Sequence, residues 1–282
     1  MQESGGGSAT AAKPCLVCSL CDCANYLALR LAKTNCHKND AQLPLFLMHT
    51  SLSRWEWLWS FCALFVYSIA TVPSLAMIYL ALSLFPGEWR ILSVAIAVPL
   101  AIFIVILNVI LISGVLHATI RWPDEGEFPA DRKGAMLLWT LHAGIVNFIR
   151  VPGLLRIVHA NPFLRKLHYR LSGAKIHDSS IVAYDAVLID PFLIEIGANS
   201  RIGDFAKLAG HYAILGKFVI KRIRVGKNAV IGGDAIIGPG VVVGDNAVIG
   251  ARSVVLPNTV IGPGEIWVGA PAHHHVTAHS ES

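Results

Sequence analysis

The sequence predicts two halves of different fold class: a helical amino-terminal half that enters a membrane, and a carboxyl-terminal half that coils as a parallel β-solenoid. Two observations predict this division. An aliphatic or aromatic residue recurs at every sixth position from residue 225 to residue 267, and two long uncharged runs precede that region. Hydrophobic residues make up 54% of the chain and charged residues only 15%, which is too apolar for an ordinary soluble protein.

The six-residue repeat predicts the solenoid, because neither a helix nor an isolated strand has this period. Glycine follows most of the repeated residues, and a small residue usually comes four positions after them. Each hexad thus supplies an inward apolar residue, a glycine that tolerates positive φ and close backbone approach, and a small side chain. The inward positions are Val225, Ile231, Ile237, Val243, Ile249, Val255, Ile261 and Trp267.

The same spacing extends upstream with one slip of two residues. The earlier positions are Ile176, Val182, Leu188 and Ile194, then Ile196, Ile202, Leu208 and Ile214. Three hexads close one triangular coil, so about fifteen hexads predict about five coils stacked ~4.8 Å apart. The segment from Leu215 to Arg224 breaks phase and is predicted to leave the solenoid as a cationic loop.

The two uncharged runs predict a transmembrane hairpin. Trp57 to Phe85 covers 29 residues and Ile91 to Ile120 covers 30, and both exceed the ~20 residues that cross a bilayer. The five-residue link between them forces the helices to be antiparallel. It holds one basic residue, while eight flank the hairpin: Lys13, Arg30, Lys33, Lys38, Arg54, Arg121, Arg132 and Lys133. By the positive-inside rule both termini, and with them the solenoid, are expected on the cytoplasmic side.

The segment between hairpin and solenoid has two compatible interpretations. Leu154 to Leu171 mixes apolar residues with four cations, as in a basic amphipathic helix that contacts lipid headgroups. Alternatively, these helices cover the open end of the solenoid. The net charge of +5 is assigned to membrane contact, since no motif for reading nucleic acid is present.

The expected domains are a Cys-rich tail at 1–54, the hairpin at 55–122, linker helices at 123–172, the solenoid at 173–272 and a tail at 273–282. Five cysteines crowd the first tail: Cys15, Cys18, Cys21, Cys23 and Cys36, which His37 follows. Zinc binding, acylation beside the membrane and reduced thiols in a poorly ordered tail all stay open as interpretations.

A series of short motifs runs through the solenoid in a fixed order. They are Leu188-Ile189-Asp190, Ile194-Glu195-Ile196-Gly197, Arg201-Ile202-Gly203, His211, Val230-Ile231-Gly232, Pro239-Gly240-Val241, Val248-Ile249-Gly250-Ala251 and Gly269-Ala270-Pro271-Ala272. This order resembles the hexapeptide-repeat acyltransferases, the left-handed β-helix family that includes the maltose and galactoside O-acetyltransferases. The resemblance covers Ile176 to Ala272. It implies a left-handed parallel β-helix, a homotrimer with active sites between subunits, and an acetyl-CoA or other acyl-CoA donor without a required metal.

The resemblance also implies one catalytic histidine, and His211 matches it. A neutral imidazole with a pKa of ~6.5 can remove a proton from a hydroxyl or an amine, so that the acceptor attacks the thioester directly. Asp190 and Asp185 are the expected supporting groups. Asp185 stands where such sugar acetyltransferases often have asparagine; it could orient the imidazole, bind an amine acceptor, or be a surface turn residue.

The expected coenzyme A contacts are Lys217, Arg222, Arg224, Ala251, Ser253 and Gly269. The family usually places Arg or Lys after its Gly-x-Pro-Ala motif, whereas this chain has three histidines at 273–275. The cations of the out-of-phase loop are therefore expected to replace them, with a merely solvated loop face as the alternative.

The expected function is membrane-anchored acyl transfer, with acetyl as the expected group, to a hydroxyl or amine on an acceptor near the bilayer such as a lipid-linked glycan. The membrane half also resembles terminal modules of nonribosomal-peptide-synthetase-like enzymes, which would make the donor an aminoacyl thioester on a carrier. A non-catalytic trimeric scaffold is a further alternative. A gamma-type carbonic anhydrase is disfavoured, since the coils offer only His177 and His211 as ligands.

Overall fold

The computed structural model of the chain describes residues 45–129, 133–150, 153–214 and 216–275, with side chains from residue 60 onward except at Lys133. The clustered cysteines and His37 lie outside the described residues, so the interpretations of the first tail remain as stated. The last seven residues of the tail at 273–282 also lie outside them.

Two long helices form the predicted hairpin: α1, Leu45–Leu84, and α2, Trp89–Thr119. Hydrogen bonds show that they are antiparallel, since Ser93 Oγ donates to the Ala81 carbonyl and Asn108 Nδ2 donates to the Ala70 carbonyl. Residues 60–84 and 88–119 are long and apolar enough to cross a membrane. Large apolar side chains on both helices are exposed, as expected of surfaces that contact lipid: Phe65, Val72, Leu75, Ile91 and Val115.

Three shorter helices follow: α3, Lys133–Arg150; α4, Leu154–Ala160; and α5, Pro162–Leu171. Asn161 caps α5, because its Oδ1 accepts hydrogen bonds from the backbone N–H groups of Phe163 and Leu164. If α3 and α4 are taken as one bent segment, they make a third candidate span.

Helix α5 covers the open end of the solenoid. Tyr169 is 1% exposed and belongs to the solenoid core. Its hydroxyl donates to the Ala186 carbonyl and accepts from the Leu188 backbone N–H. The interpretation of these helices as a cover for the first coil is thus confirmed, while their contact with lipid headgroups stays a prediction.

Eighteen strands occur in the described residues, nearly all of them short. They are β1 Gly126–Pro129, β2 Lys175–Ile176, β3 Ile181–Val182, β4 Val187–Leu188, β5 Ile194–Ile196, β6 Arg201–Ile202, β7 Lys207–Leu208, β8 His211–Ile214, β9 Lys217–Ile220, β10 Ile223–Val225, β11 Val230–Ile231, β12 Ile236–Ile237, β13 Val242–Val243, β14 Val248–Ile249, β15 Val254–Val255, β16 Val260–Ile261, β17 Ile266–Gly269 and β18 Ala272–His274.

Three parallel sheets build the solenoid. Their orders are β2-β5-β10-β13-β16, β3-β6-β11-β14-β17 and β4-β7-β12-β15, so successive members belong to successive coils. Five strands in the longest parallel stack confirm the predicted five coils. The repeated apolar residues fill the interior: Leu188, Ile202, Ile231 and Ile249 are at most 1% exposed. Strand β18 pairs antiparallel with β17, with Val268 opposite His273, so the predicted boundary at 272/273 runs through a strand.

The glycines of the repeat do only one of the two tasks that the sequence suggested. Positive φ occurs two residues after them at Asn199, Phe205, Asn228, Asp234, Asn246 and Arg252, and also at Asn258, two residues after Leu256. The glycines serve close approach: a Cβ built on Gly203 would lie 2.6 Å from the Gly233 nitrogen in the next coil. Positive φ at the repeat glycines was therefore a wrong expectation, and stacking of neighbouring backbones explains why glycine recurs there.

The extruded segment begins earlier than predicted. Strands β8 and β9 form an antiparallel hairpin that starts at His211, and β1 adds to the other edge of β9 with Phe128 opposite Phe218. Ile223 has already rejoined the solenoid, where it pairs with Ile194. Ile214 is therefore not a coil position, and its assignment was wrong because a spacing of six also fits the two-residue alternation of a hairpin strand.

Candidate active site

Asp190 lies at the slip in the repeat. It follows β4 and precedes a 3-10 turn, Pro191–Leu193, which accounts for the two extra residues. The residue is 1% exposed, yet both carboxylate oxygens are satisfied. Oδ2 accepts hydrogen bonds from the Gly210 backbone N–H at 2.9 Å and from His211 Nδ1 at 2.6 Å. Oδ1 accepts one from Trp139 Nε1 at 2.8 Å.

His211 is the first residue of the extruded hairpin. Its side chain is 18% exposed, and its ring centroid lies 4.3 Å from that of Trp139 and 6.1 Å from that of Phe218. The bond to the ionised carboxylate assigns the proton to Nδ1, because a carboxylate can only accept. No described residue forms a hydrogen bond with Nε2. This nitrogen can therefore receive a proton from a bound molecule.

Electrostatics keep the Asp190 carboxyl ionised. Burial raises its pKa. The charge and hydrogen bond of His211, together with the hydrogen bonds from Trp139 and Gly210, lower the pKa by more than burial raises it. The net pKa lies below the ordinary value, so the group carries a full negative charge at neutral pH. An anion in this place fixes the orientation of the imidazole and stabilises its protonated form.

Asp185, the second carboxylate expected to support the histidine, lies in the turn between β3 and β4. Its backbone N–H donates to Asp204 Oδ1 at 3.2 Å. Among the described residues, no hydrogen bond joins its side chain to His211. Of the two predicted carboxylates, the structure brings only Asp190 onto the ring.

The cations expected to meet coenzyme A are largely engaged with carboxylates. Arg222 contacts Glu125 at 2.9 Å and Glu195 at 3.0 Å, and Arg224 lies 3.6 Å from the second oxygen of Glu195. Lys217 is exposed at the start of β9 and has no ion pair with any described residue. An open cavity of about 310 Å³ adjoins the network, lined by Glu125, Gly126, Lys221, Arg222, Arg224, Gly240 and Asn258.

The other expected coenzyme A contacts lie further along the solenoid. The backbone N–H of Gly269 donates to Ser253 Oγ at 3.2 Å, and Ser253 is fully buried. Ala251 is exposed at the preceding corner. These three residues belong to the fourth and fifth coils, whereas the chain leaves the second coil at His211.

A separate group of histidines lies between the helices and the first coil. His117 Nδ1 and His142 Nδ1 are 2.8 Å apart. His168, on α5, is 1% exposed, and neither ring nitrogen has a hydrogen-bond partner among the described residues. Within the described ranges, no group of three or more His, Cys, Asp or Glu residues could hold a metal ion.

The repeat matches a known family model. Residues 222–257 fit the model described as bacterial transferase hexapeptide (six repeats). This part of the chain therefore carries hexapeptide repeats that match this model. Among curated proteins, none matches the sequence significantly.

Solved structures similar to the hexapeptide-repeat chain include a maltose O-acetyltransferase from Clostridium difficile 630. The two are 19% identical over 54% of this chain and 91% of that one, with a TM-score of 0.41. A hexapeptide-repeat-containing acetyltransferase from Vibrio cholerae O1 biovar eltor, complexed with acetyl coenzyme A, is 20% identical over 54% of this chain and 93% of its own, with a TM-score of 0.38.

Trp139 is the site residue that sequence reasoning missed. It lies on α3, in a segment that the sequence marks only as short and apolar, and reaches Asp190 across 51 positions of the chain. An indole N–H normally finds a hydrogen-bond acceptor when it is buried. The sequence does not indicate that this acceptor lies in the solenoid.

Proposed function

We propose that this protein is a membrane-anchored acyltransferase in which His211 is the general base and Asp190 orients it. The donor is acetyl-CoA or another acyl-CoA, and the acceptor is a hydroxyl or an amine. The observation that carries the proposal is the 2.6 Å contact between Asp190 Oδ2 and His211 Nδ1, which leaves Nε2 unprotonated at the partly exposed edge of the ring. The transferase-type repeat at residues 222–257, which follows this pair in the chain, supports the same reaction class.

The reaction needs no covalent enzyme intermediate. His211 Nε2 takes the proton from the acceptor O–H or N–H while the acceptor atom attacks the thioester carbonyl carbon. The C–S bond then breaks, and the imidazolium returns its proton to the departing coenzyme A thiolate. Asp190 stabilises the positive charge on His211 between these two transfers. Asp185, which does not contact the ring, is proposed as a polar group near the acceptor.

For coenzyme A we propose the contacts expected from the sequence. Lys217, exposed and without an ion pair among the described residues, is the strongest candidate for a phosphate contact. Arg222 and Arg224 would contribute to the same positive surface, although Glu125 and Glu195 compensate much of their charge. Ala251, Ser253 and Gly269 would line the donor further along the solenoid. A homotrimer would place these coils of one subunit beside His211 of another.

The acceptor is proposed to reside in or near the bilayer, as a lipid-linked glycan or another amphiphile. Strand β1 begins at Gly126, shortly after α2 ends at Thr119. It pairs with the hairpin that starts at His211, which keeps that residue near the end of the second candidate span. We propose the cytoplasmic side for both termini and for the site, from the distribution of basic residues.

The test uses full-length protein in detergent with labelled acetyl-CoA and a membrane extract. His211→Ala should lower acyl transfer by about 10²–10⁴-fold, the usual contribution of a general base. His177→Ala is the matched control, since His177 lies in the first coil and contacts Ser179. Equal transfer by wild type and His211→Ala would remove the histidine from the mechanism. Transfer from an aminoacyl carrier thioester, but not from acyl-CoA, would favour the alternative donor, and transfer from neither would favour a scaffold.

A further inference from the structure

We infer that Trp139 is a positioning residue for the Asp190–His211 pair, so that a helix outside the hexapeptide repeat sets the geometry of the catalytic base. The expected effect of this inference on kcat rests on the proposed function. Its structural part, that the indole controls the state of the pair, stands on contacts alone.

The first contact is the hydrogen bond from Trp139 Nε1 to Asp190 Oδ1, at 2.8 Å. The other carboxylate oxygen already accepts from Gly210 and His211. Trp139 is thus the donor that satisfies Oδ1, on a residue that is 1% exposed. A buried anion with one oxygen unsatisfied is costly, and a rotation of the carboxylate would move Oδ2 away from the imidazole.

The second contact is made by the indole ring itself. It lies against the His211 imidazole at 4.3 Å between centroids, with an interplanar angle of 50°. Phe218 meets the indole in an edge arrangement at 5.3 Å between centroids and lies 6.1 Å from the His211 ring, so the three rings form one cluster. One residue therefore fixes the acceptor oxygen of the aspartate and covers a face of the histidine.

Helix α3 is itself tied to the first coil at a second point. Arg150 Nη2 donates to the Leu188 carbonyl at 3.3 Å, two residues before Asp190. Trp139 and Arg150 are eleven residues apart, about three helical turns, so both lie on the same face of α3. The charged groups around Asp190 are then His211 and Arg150, and Trp139 is the neutral donor between them.

The electrostatic consequence has a definite sign. The indole N–H holds the carboxylate in the orientation that brings Oδ2 to His211, so its removal lets Oδ2 move away from the imidazole. A carboxylate further from the ring stabilises the imidazolium less, so His211 holds its proton less tightly. Replacement by phenylalanine keeps an aromatic ring against the imidazole and deletes only the donor. A residue that merely fills space would not change the titration of His211.

The experiment compares Trp139→Phe with Trp122→Phe in the full-length protein. Trp122 is the matched control, because it stacks on His142 at 4.2 Å and contacts Phe192, yet does not touch Asp190 or His211. Two measurements are made: acyl transfer as a function of pH, and NMR titration of ¹³C-labelled histidines with the His211 signal identified by its loss in His211→Gln.

We expect Trp139→Phe to lower kcat by about tenfold with little change in KM, as loss of one charge-assisted hydrogen bond implies. The acid limb of the pH profile and the NMR titration curve of His211 should both shift to lower pH than in the wild type. Trp122→Phe should leave both midpoints unchanged.

The two measurements separate the inference from the proposed function. If the His211 midpoint in Trp139→Phe matches that in Trp122→Phe, the positioning role is overturned, whether or not the wild type transfers acyl groups. If the wild type shows no transfer but Trp139→Phe moves the midpoint, the proposed function fails and the control of His211 by Trp139 stands.

Discussion

Asp190 and His211 are 21 positions apart in the sequence, yet Oδ2 of the first lies 2.6 Å from Nδ1 of the second. Asp190→Asn should keep the size and shape of the side chain but replace the carboxylate by an amide. An amide N–H can donate to Nδ1 of the ring and so favour the tautomer that carries its proton on Nε2. We expect acyl transfer to fall by about 10³-fold or more, with folding retained. Rates with labelled acetyl-CoA measure the first effect and size-exclusion chromatography in detergent the second.

Asp185→Asn tests the second carboxylate, which is proposed to lie near the acceptor and not against His211. Its side chain makes no hydrogen bond to His211 in the part of the chain that the structure describes, so kcat should stay within about threefold of wild type while the KM for the acceptor changes. A loss as large as that of Asp190→Asn would show that the second carboxylate acts directly on the reaction.

The buried His168 is expected to lower the free energy of unfolding in acid. Burial, reinforced by neighbouring His159, Arg150 and His117, lowers its pKa to about 3, whereas in the unfolded chain it is ~6.5. Between these values the unfolded state holds a proton that the folded state lacks. The free energy of unfolding therefore falls as the pH drops from about 7 towards 3, by up to about 1.4 kcal/mol per pH unit.

His168→Leu removes this group and its two unpartnered nitrogens. Its unfolding temperature in detergent should fall less than that of wild type between pH 7.5 and pH 5. His177→Leu, at an exposed position of the first coil, should behave as wild type. Parallel pH dependence of all three proteins would contradict the prediction.

An added methyl group at Gly203 is expected to destabilise the stacked coils. An Ala side chain there would place Cβ 2.6 Å from the Gly233 nitrogen. This clash with backbone in the next coil can be relieved only if the two coils move apart. We expect Gly203→Ala to destabilise the protein by about 1–3 kcal/mol. Gly134→Ala, in α3 with no atom within 4 Å of the added Cβ, should be neutral or stabilising. Thermal unfolding of the two variants tests the contrast, and equal effects would argue against close coil stacking.

Lys217 predicts a salt-dependent contribution to donor binding. Lys217→Ala should raise KM for acetyl-CoA by about threefold while kcat changes little, as loss of one exposed cation near a phosphate implies. The effect should shrink as ionic strength increases. Lys227→Ala removes an exposed cation from a corner of the third coil and should leave KM unchanged. A KM for Lys217→Ala equal to that of wild type at low salt would exclude Lys217 from the donor site.

The coil interior could be predicted from the sequence because every coil presents the same environment to the same position. Leu188, Ile231 and Ile249 are buried as their spacing requires. The rule fails where a different structure shares the spacing, as at Ile214, which lies on a hairpin. The sequence rule also assigned positive φ to the wrong positions. Phe205 and Arg252 adopt positive φ at corners of the coils, although neither residue type normally indicates that conformation.

The candidate site could be predicted only in part. His211 and Asp190 stand in ordered motifs, and their contact follows once the coils stack. Trp139 and the pairing of β1 with β9 depend on contacts between the membrane-side segment and the solenoid. Neither partner carries a repeated pattern, so nothing local specifies which surfaces meet.

The pairing of β1 with β9 also decides where the protein can be cut. A fragment starting at residue 173 would keep every coil but leave one border of the hairpin bare, with unpaired amide and carbonyl groups open to association with other copies. It would also lack the indole that holds Asp190. A fragment that omits the two lipid-facing helices but keeps both features has to begin between Thr119 and Gly126, just beyond the second of these helices.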